Sequence, residues 1–368
     1  MIKRSKLSFY SLTSIIIVVM LILAACGGNE TANSSGESAQ KPINLIFGMA
    51  VPATHPLNAL AAEPWAETVK EETDGLVEVD IQPGAVLGPS SSVLQDVSGG
   101  VYDIGFVVGQ GFPDTPLFKT TVLNLPFAYI NTDDHLLKAK IAQRFVDEYI
   151  NKDLEKLGIK VMGIYTSDPA VLISQEPIRT VDDLKGKQTQ LQAPSWLPLL
   201  SGWGASPVSV AIEDIYTSLE RGTLDVAVYA YGGAYSQKFY EPGPFITNLP
   251  ISTVAQAVVM NLDKWNSMSP ELQKKFEETF NPNLEELLNI SYSKGEKESY
   301  EKIKKEVKEK GEIIQPSEEE LKRFIKPVKD VWKLWVEEAD KKGYNGQELL
   351  DGLLRIMEEE GVEPPFEI

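Results

Sequence analysis

Between Pro177 and Tyr240 the apolar positions switch repeatedly between the spacing of a helix and that of a strand. Thr180-Val-Asp-Asp183 has the form of a helix N-cap followed by an acidic first turn. Gly186 ends that short helix, a polar extended run reaches Gln192, and Pro194 opens a new segment. Leu197, Leu199 and Leu200 lead to a stop at Gly202 to Gly204, and Pro207 to Val210 reads as a short strand. Ile212, Ile215, Tyr216 and Leu219 recur at i, i+3, i+4 and i+7, the buried face of a helix. Gly222 takes the position just past its end, where a left-handed backbone costs glycine nothing. Leu224 to Tyr229 is the next strand. Strand and helix alternating over this length predict parallel α/β construction.

A similar unit precedes it. Leu45 to Val51 reads as a strand, Thr54-His55-Pro56 as a turn, and Leu60, Ala61, Trp65 and Val69 as the apolar face of a helix closed by Gly75. Val77 to Ile81 alternates as a strand, Val93 to Val97 is helical, and Tyr102 to Val108 is a further strand. Pro113 to Asn124 reads as loop. Leu137 to Leu157 is helical and Ile159 to Tyr165 is a strand. Downstream, Val254 to Asn261 is an apolar strand, and Ser269-Pro270 starts a helix with Ser as N-cap and Pro at N1. Leu284 to Lys310 is a long charged helix, Ser317 to Glu320 a capping box, and Leu349, Leu350, Leu353 and Ile356 mark a terminal helix. The pattern predicts two α/β lobes with a cleft between them.

The N-terminus is a different kind of segment. Lys3, Arg4 and Lys6 precede an apolar run from Ile15 to Leu23, which is short of the roughly 20 residues of a membrane span. Leu23-Ala24-Ala25-Cys26 then has the small residues of a signal cleavage site with cysteine just after it, as in a bacterial lipobox. The expectation is a lipoprotein signal peptide over 1–25, lipidation of Cys26, and a flexible polar tether over 26–42. Lobe I is expected over 43–165, with part of 255–310 returning to it, and lobe II over 166–254. The crossing strand, long helix and C-terminal helices are expected over 255–368.

At 368 residues, two domains are the natural expectation, and 43% hydrophobic with 24% charged residues is a globular composition. The formal charge of −18 argues against nucleic acid or anionic lipid as an electrostatic partner. Cys26 is the single cysteine, so there is neither an internal disulfide nor a cysteine metal site, and His55 and His135 are the only histidines. No P-loop, dinucleotide glycine pattern, nucleophile elbow or EF-hand loop occurs. The acidic pairs Asp182-Asp183 and Glu213-Asp214 and the run Glu318 to Glu320 sit in expected first turns, where the helix dipole accounts for them. The chain therefore reads as a non-enzyme without metal or cofactor.

The segments DLKG, GASPV, DIYTSLERGTLDV and YSQKFYE, in that order, resemble the second domain of the extracytoplasmic solute receptors of TRAP (tripartite ATP-independent periplasmic) transporters. The resemblance extends to THPLNALAAEPWAETVKEETDGLVEVDIQPGAVLG, VLNLPFAYINTDDH and AVVMNLDKWNSMSPELQKKF, from Phe47 to about Phe276. It implies a two-lobed fold of the periplasmic-binding-protein kind, with an interlobe ligand cleft and a long helix crossing both lobes. It also implies a small-molecule ligand, hand-over to ion-driven TRAP-type permease subunits, a monomeric receptor and a site outside the cytoplasm. A receptor for an ATP-driven importer is the rival reading, and a lipid-anchored hydrolase a more distant one.

The resemblance also marks a departure. In relatives, an arginine ending the strand after DLKG forms a bidentate bridge to a ligand carboxylate. Here Gln192, or Gln190 with a shifted alignment, takes that place. Asp168 to Ile173, where some relatives carry a second base, holds none, and Tyr229 replaces a frequent pocket asparagine. An organic acid is the family's usual ligand; an amine or neutral solute suits Asp168 and the aromatics better, unless Lys187 or backbone N–H groups hold a carboxylate. Candidate ligand-binding residues are Asp168, Gln192, Trp196, Tyr229, Tyr231, His55 and Gln110. His55 alternatively reads as a structural histidine bonded to backbone, His135 as a surface residue, and Trp203 as core.

Overall fold

The computed structural model describes residues 41–366; the predicted signal peptide, Cys26 and nearly all of the predicted tether lie outside them. The strands are β1 (Ile43–Gly48), β2 (Val77–Gln82), β3 (Ile104–Val108), β4 (Ile159–Thr166), β5 (Ala170–Ser174), β6 (Gln188–Gln190), β7 (Ser206–Val208), β8 (Val226–Ala230), β9 (Phe245–Thr247), β10 (Ala255–Asn261) and β11 (Glu312–Ile314). They form two sheets, in the orders β2-β1-β3-β10-β4 and β11-β9-β5-β8-β6-β7. β1 lies parallel between β2 and β3, whereas β10 returns antiparallel between β3 and β4. In the second sheet β6 is parallel to β7 and β8, as strand–helix alternation predicts, and β5 is antiparallel to β8 and β9.

The helices that matter for the site are α1 (Glu63–Glu72), α2 (His135–Tyr149), α3 (Tyr231–Ser236), α4 (Asn281–Val307), α5 (Glu318–Ile325), α6 (Val328–Lys341) and α7 (Gly346–Glu359). The chain passes between the sheets at Ser167–Pro169 and returns at 248–254. These two segments are bonded to each other. Ser167 N–H donates to the Val254 carbonyl (3.0 Å), and Ala170 N–H to that of Ser252 (2.9 Å). The third connection is α4. Its Leu284 and Leu288 belong to the core of the first lobe with Phe47, Trp65 and Phe280, and its Ile303 and Val307 to the core of the second with Phe239 and Ile246. The molecule is thus two α/β lobes spanned by one long helix.

On the far faces the two sheets share a single apolar core under the C-terminal helices. Three indoles tie it together. Trp203 Nε1 donates to the Phe324 carbonyl (2.9 Å), Trp332 Nε1 to that of Pro126 (3.1 Å), and Trp335 Nε1 to Thr121 Oγ1 (2.8 Å). Trp203 is a core residue, 1% exposed.

Several local expectations are corrected. A π-helical turn over Leu57–Ala62 inserts a residue ahead of α1. It rotates the apolar face, so Leu57, Ala61, Ala62, Trp65 and Val69 are buried while Leu60 is 50% exposed. Pro116–Asn124, expected as loop, is a 3-10 helix that buries Leu117, Phe118, Val122 and Leu123. The helix expected over 137–157 breaks at Ile150 into α2 and a short piece, Asn151–Glu155. Ser317 caps α5 by accepting from Glu320 N–H, but Glu320 Oε2 accepts from Val181 N–H across the structure rather than closing the box. Ile212 is 49% exposed, leaving Ile215 and Leu219 as the buried face of their helix. Among the described residues no helix is long and apolar enough to cross a membrane.

Candidate functional site

Asp168 lies on the crossing segment between β4 and β5. A proline follows it, and β5 begins two residues on, so its backbone is held by the sheets on either side. Its side chain is 4% exposed, and Oδ2 accepts from the Gly232 N–H (2.8 Å) in the first turn of α3. Burial pushes its carboxyl up to about 6, and the nearby Glu296 carboxylate adds to the rise.

Asp168 forms part of the wall of a cavity of about 270 Å3 enclosed by both lobes and the long helix. His55 and Leu57 close it from the first lobe, and Gly232, Tyr235 and Ser236 of α3 from the second. One face of α4 completes it with Tyr292, Gly295, Glu296, Ser299 and Lys302. These helix positions are three and four residues apart and so share a face. Tyr292 is fixed by its hydroxyl, which accepts from Gln256 Nε2 (3.1 Å), and by stacking on Tyr165 at 5.9 Å. His55 Nδ1 accepts from the Leu57 N–H (3.2 Å), and burial lowers its pKa. Lys302 pairs with Glu298 at 3.3 Å and lies over the Tyr235 ring, 5.3 Å from its centroid. The remaining charges at the wall, Asp168 and Glu296, are acidic.

No arginine among the described residues lines this cavity. Arg144 pairs with Glu359 and Glu360, Arg179 with Glu312, Arg323 with Asp182 and Glu320, and Arg355 with Glu148 and Glu359. Arg221 is exposed at the end of the Ile215–Arg221 helix. Lys187 pairs with Glu176 and does not line the cavity. No group of three or more His, Cys, Asp or Glu residues that could hold a metal occurs among the described residues.

Of the residues picked out from sequence, the structure brings Asp168 and His55 together at the cavity. Tyr229 is adjacent rather than lining. It packs edge-on to Phe239 at 5.3 Å and lies so close over Gly233 that a Cβ there would sit 2.0 Å from its ring, and burial and the Asp168 charge raise its phenol pKa. Gln192 is engaged elsewhere. β6 meets β8 only at Thr189 and Val226, and beyond that point side chains continue the ladder. Gln190 Oε1 accepts from the Val228 N–H (3.0 Å) and Gln192 Nε2 donates to the Val228 carbonyl (2.5 Å). Trp196 is 6% exposed in the shared core and Tyr231 is 2% exposed with its hydroxyl donating to Asn248 Oδ1 (3.1 Å); neither lines the cavity. Gln110 is exposed on the turn Gly109–Gly111.

His135 is a correction. Expected on the surface, it is 6% exposed, because the start of α2 docks on α4 and its Nε2 meets Glu296 Oε2 at 2.9 Å. The contribution of α4 to the cavity was missed from sequence. A signal for it exists: Ser291, Gly295 and Ser299 continue, at four-residue spacing, the row occupied further on by the apolar Ile303 and Val307. Small residues replace apolar ones where the seam leaves the core.

The family model of bacterial extracellular solute-binding proteins, family 7 (DctP), matches residues 47–339. Among characterised proteins, the outer membrane transporter protein TsaT of Comamonas testosteroni is 23% identical over 318 residues, covering 83% of this chain and 89% of its own. The C4-dicarboxylate-binding protein DctB of Bacillus subtilis is 24% identical over 328 residues, covering 87% and 88%. Among solved structures, a TRAP periplasmic solute-binding protein from Desulfovibrio salexigens superposes with a TM-score of 0.75 at 22% identity, covering 88% of this chain and 98% of the other. The periplasmic ectoine-binding protein of the TeaABC TRAP transporter of Halomonas elongata gives 0.72 at 19% identity, covering 86% and 99%. These likenesses establish the two-lobed fold.

Proposed function

The chain belongs to the bacterial extracellular solute-binding proteins of family 7, an extracytoplasmic receptor rather than an enzyme, and from that membership we propose that its interlobe cavity takes a small amine or an uncharged polar solute. The observation that carries this reading is the sign of the wall: Asp168 and Glu296 face the cavity, its lysine, Lys302, is paired with Glu298, and no arginine lines it. A buried carboxylate ligand needs a compensating cation or backbone N–H groups, since an unpaired buried charge costs several kcal/mol, and at this wall the Gly232 N–H already serves Asp168. A dicarboxylate, the ligand class in the name of the Bacillus subtilis relative, would meet like charges at this wall. An ammonium group would instead pair with Asp168 and lie against the Tyr292 ring, a contact that gains about 0.5–2 kcal/mol. The glutamines at the place of the family's arginine fit the same reading, because their amides serve β8.

In this reading Asp168 is the charge anchor, His55 and Tyr292 shape the cavity, and Tyr229 buttresses the Gly232–Gly233 backbone from outside. The loaded receptor hands its solute to an ion-driven TRAP-type permease and is held to the membrane by lipid on Cys26. Calorimetry against matched acids, amides and amines is the test. An amine or amide that binds and weakens tenfold to a hundredfold in Asp168→Asn, as loss of a charge-assisted bond of about 1.5–3 kcal/mol requires, supports the reading. Tight binding of a mono- or dicarboxylate, undiminished by Asp168→Asn, overturns it.

A further inference from the structure

α4 carries a glycine at its middle, and glycine in a helix interior is less stable than alanine. The two glycines of α7 have a steric reason. A Cβ on Gly352 would lie 2.4 Å from the Tyr149 hydroxyl, and one on Gly346 2.4 Å from the Val336 carbonyl oxygen. Gly295 has none: no heavy atom lies within 4 Å of where its Cβ would be. The empty space above it is the cavity, which Gly295 lines with Ser291 and Ser299 one turn to either side. Backbone conformation does not require glycine there, nor does packing against either lobe.

We propose that Gly295 sets the size limit of the solute. Its missing side chain leaves the floor of the cavity open, and the carbon skeleton of the solute occupies that space beside Tyr292 while its polar end faces Asp168. Alanine would trim the cavity and leucine would fill much of the approximately 270 Å3 available. Gly295 is therefore a specificity-determining residue, and the proposal rests on the reading of this cavity as the solute site.

The test needs no knowledge of the solute. Cys26 is the only cysteine, so a Cys26→Ser background is free of thiols. Ser299, 7% exposed and one turn from Gly295 on the same wall, becomes a reporter as Ser299→Cys. Its modification by 2-aminoethyl methanethiosulfonate is followed by mass spectrometry, with rates normalised to Glu301→Cys on the exposed side of α4. With glycine at 295 the reporter is modified. Gly295→Ala slows the reaction, Gly295→Leu slows it at least tenfold, and Gly295→Ala alone raises the melting temperature of the protein. Equal rates with glycine and leucine, an inert reporter in the glycine protein, or a lower melting temperature in Gly295→Ala would each overturn the proposal. The anionic 2-sulfonatoethyl reagent separates the two readings. Slower reaction than with the aminoethyl reagent, with the difference lost in Asp168→Asn, supports an amine. Equal rates for the two reagents, with Gly295→Leu still blocking both, remove the amine and leave the size limit standing.

Discussion

At the scale of the residue, Asp168 concentrates most of the site's chemistry. In the unfolded chain its carboxyl titrates near 3.9, and in the folded protein at about 6 because burial disfavours the charge. Between those values the folded state binds the proton and the unfolded state does not, so stability rises as pH falls. Wild type measured against Asp168→Asn should gain stability as pH drops from about 6 to about 4, on the order of 2–3 kcal/mol, and show a flat difference above pH 7. Denaturant titrations of both proteins across that range check it, and a flat difference throughout would show that Asp168 is solvated. Binding has the opposite sign. An amine needs the ionised carboxylate, so its affinity should fall, approaching tenfold per pH unit, below about 6. The charge sign at Asp168 was readable from the sequence. Its burial was not, because the group that bonds it, Gly232, is 64 residues away.

At the scale of the element, the π-helical turn ahead of α1 decides which residues pack. An extra residue in a helix rotates everything beyond it relative to the regular period. That is why the apolar pattern around Leu60 misplaces the face: Leu60 and Ala61 are neighbours in sequence, yet one is 50% exposed and the other 0%. Leu60→Ser should therefore change stability by no more than about 0.5 kcal/mol, whereas Ala61→Leu should cost about 1–3 kcal/mol through overpacking. Thermal unfolding of the two variants distinguishes this face from the one the regular period gives. The helical pair α5 and α6 gives a second case. Trp203→Phe keeps most of the ring area but leaves the Phe324 carbonyl without its indole donor, so a loss of about 1–3 kcal/mol is expected. A cost below about 0.5 kcal/mol would show that this bond does not hold α5 to the second lobe. The caps at Thr180, Ser269 and Ser317 were legible from sequence because each involves residues no more than three apart.

At the scale of the whole molecule, the two crossing segments and α4 join the lobes, and the cavity is bounded by Asp168 of the first crossing segment, by α4 and by residues of both lobes. Closure of two such lobes on a solute is a hinge motion, with the few residues of the crossing segments absorbing the change. A solute that binds the folded state alone should stabilise it by about 2.7 kcal/mol at a hundredfold excess over its Kd. The proposed lipid anchor acts at this scale as well. Fractionation of cells producing Cys26→Ser should show precursor or released protein in place of the membrane-bound form. Membrane attachment as firm as wild type, with neither species, would exclude lipid on Cys26.

Read alone, the sequence determined what depends on near neighbours: the alternation of strand and helix, and the caps. It also showed, through one cysteine and two histidines, how little metal or nucleophile chemistry the chain can support. Tertiary structure alone decided which polar residues are buried and what they face. It set Asp168 against Gly232 and Glu296, drew His135 beneath α4, sent Trp196 into the core, and turned Gly295 toward open space. Burial and charge proximity are sums over atoms brought together from distant parts of the chain, so no local pattern of residue types encodes them.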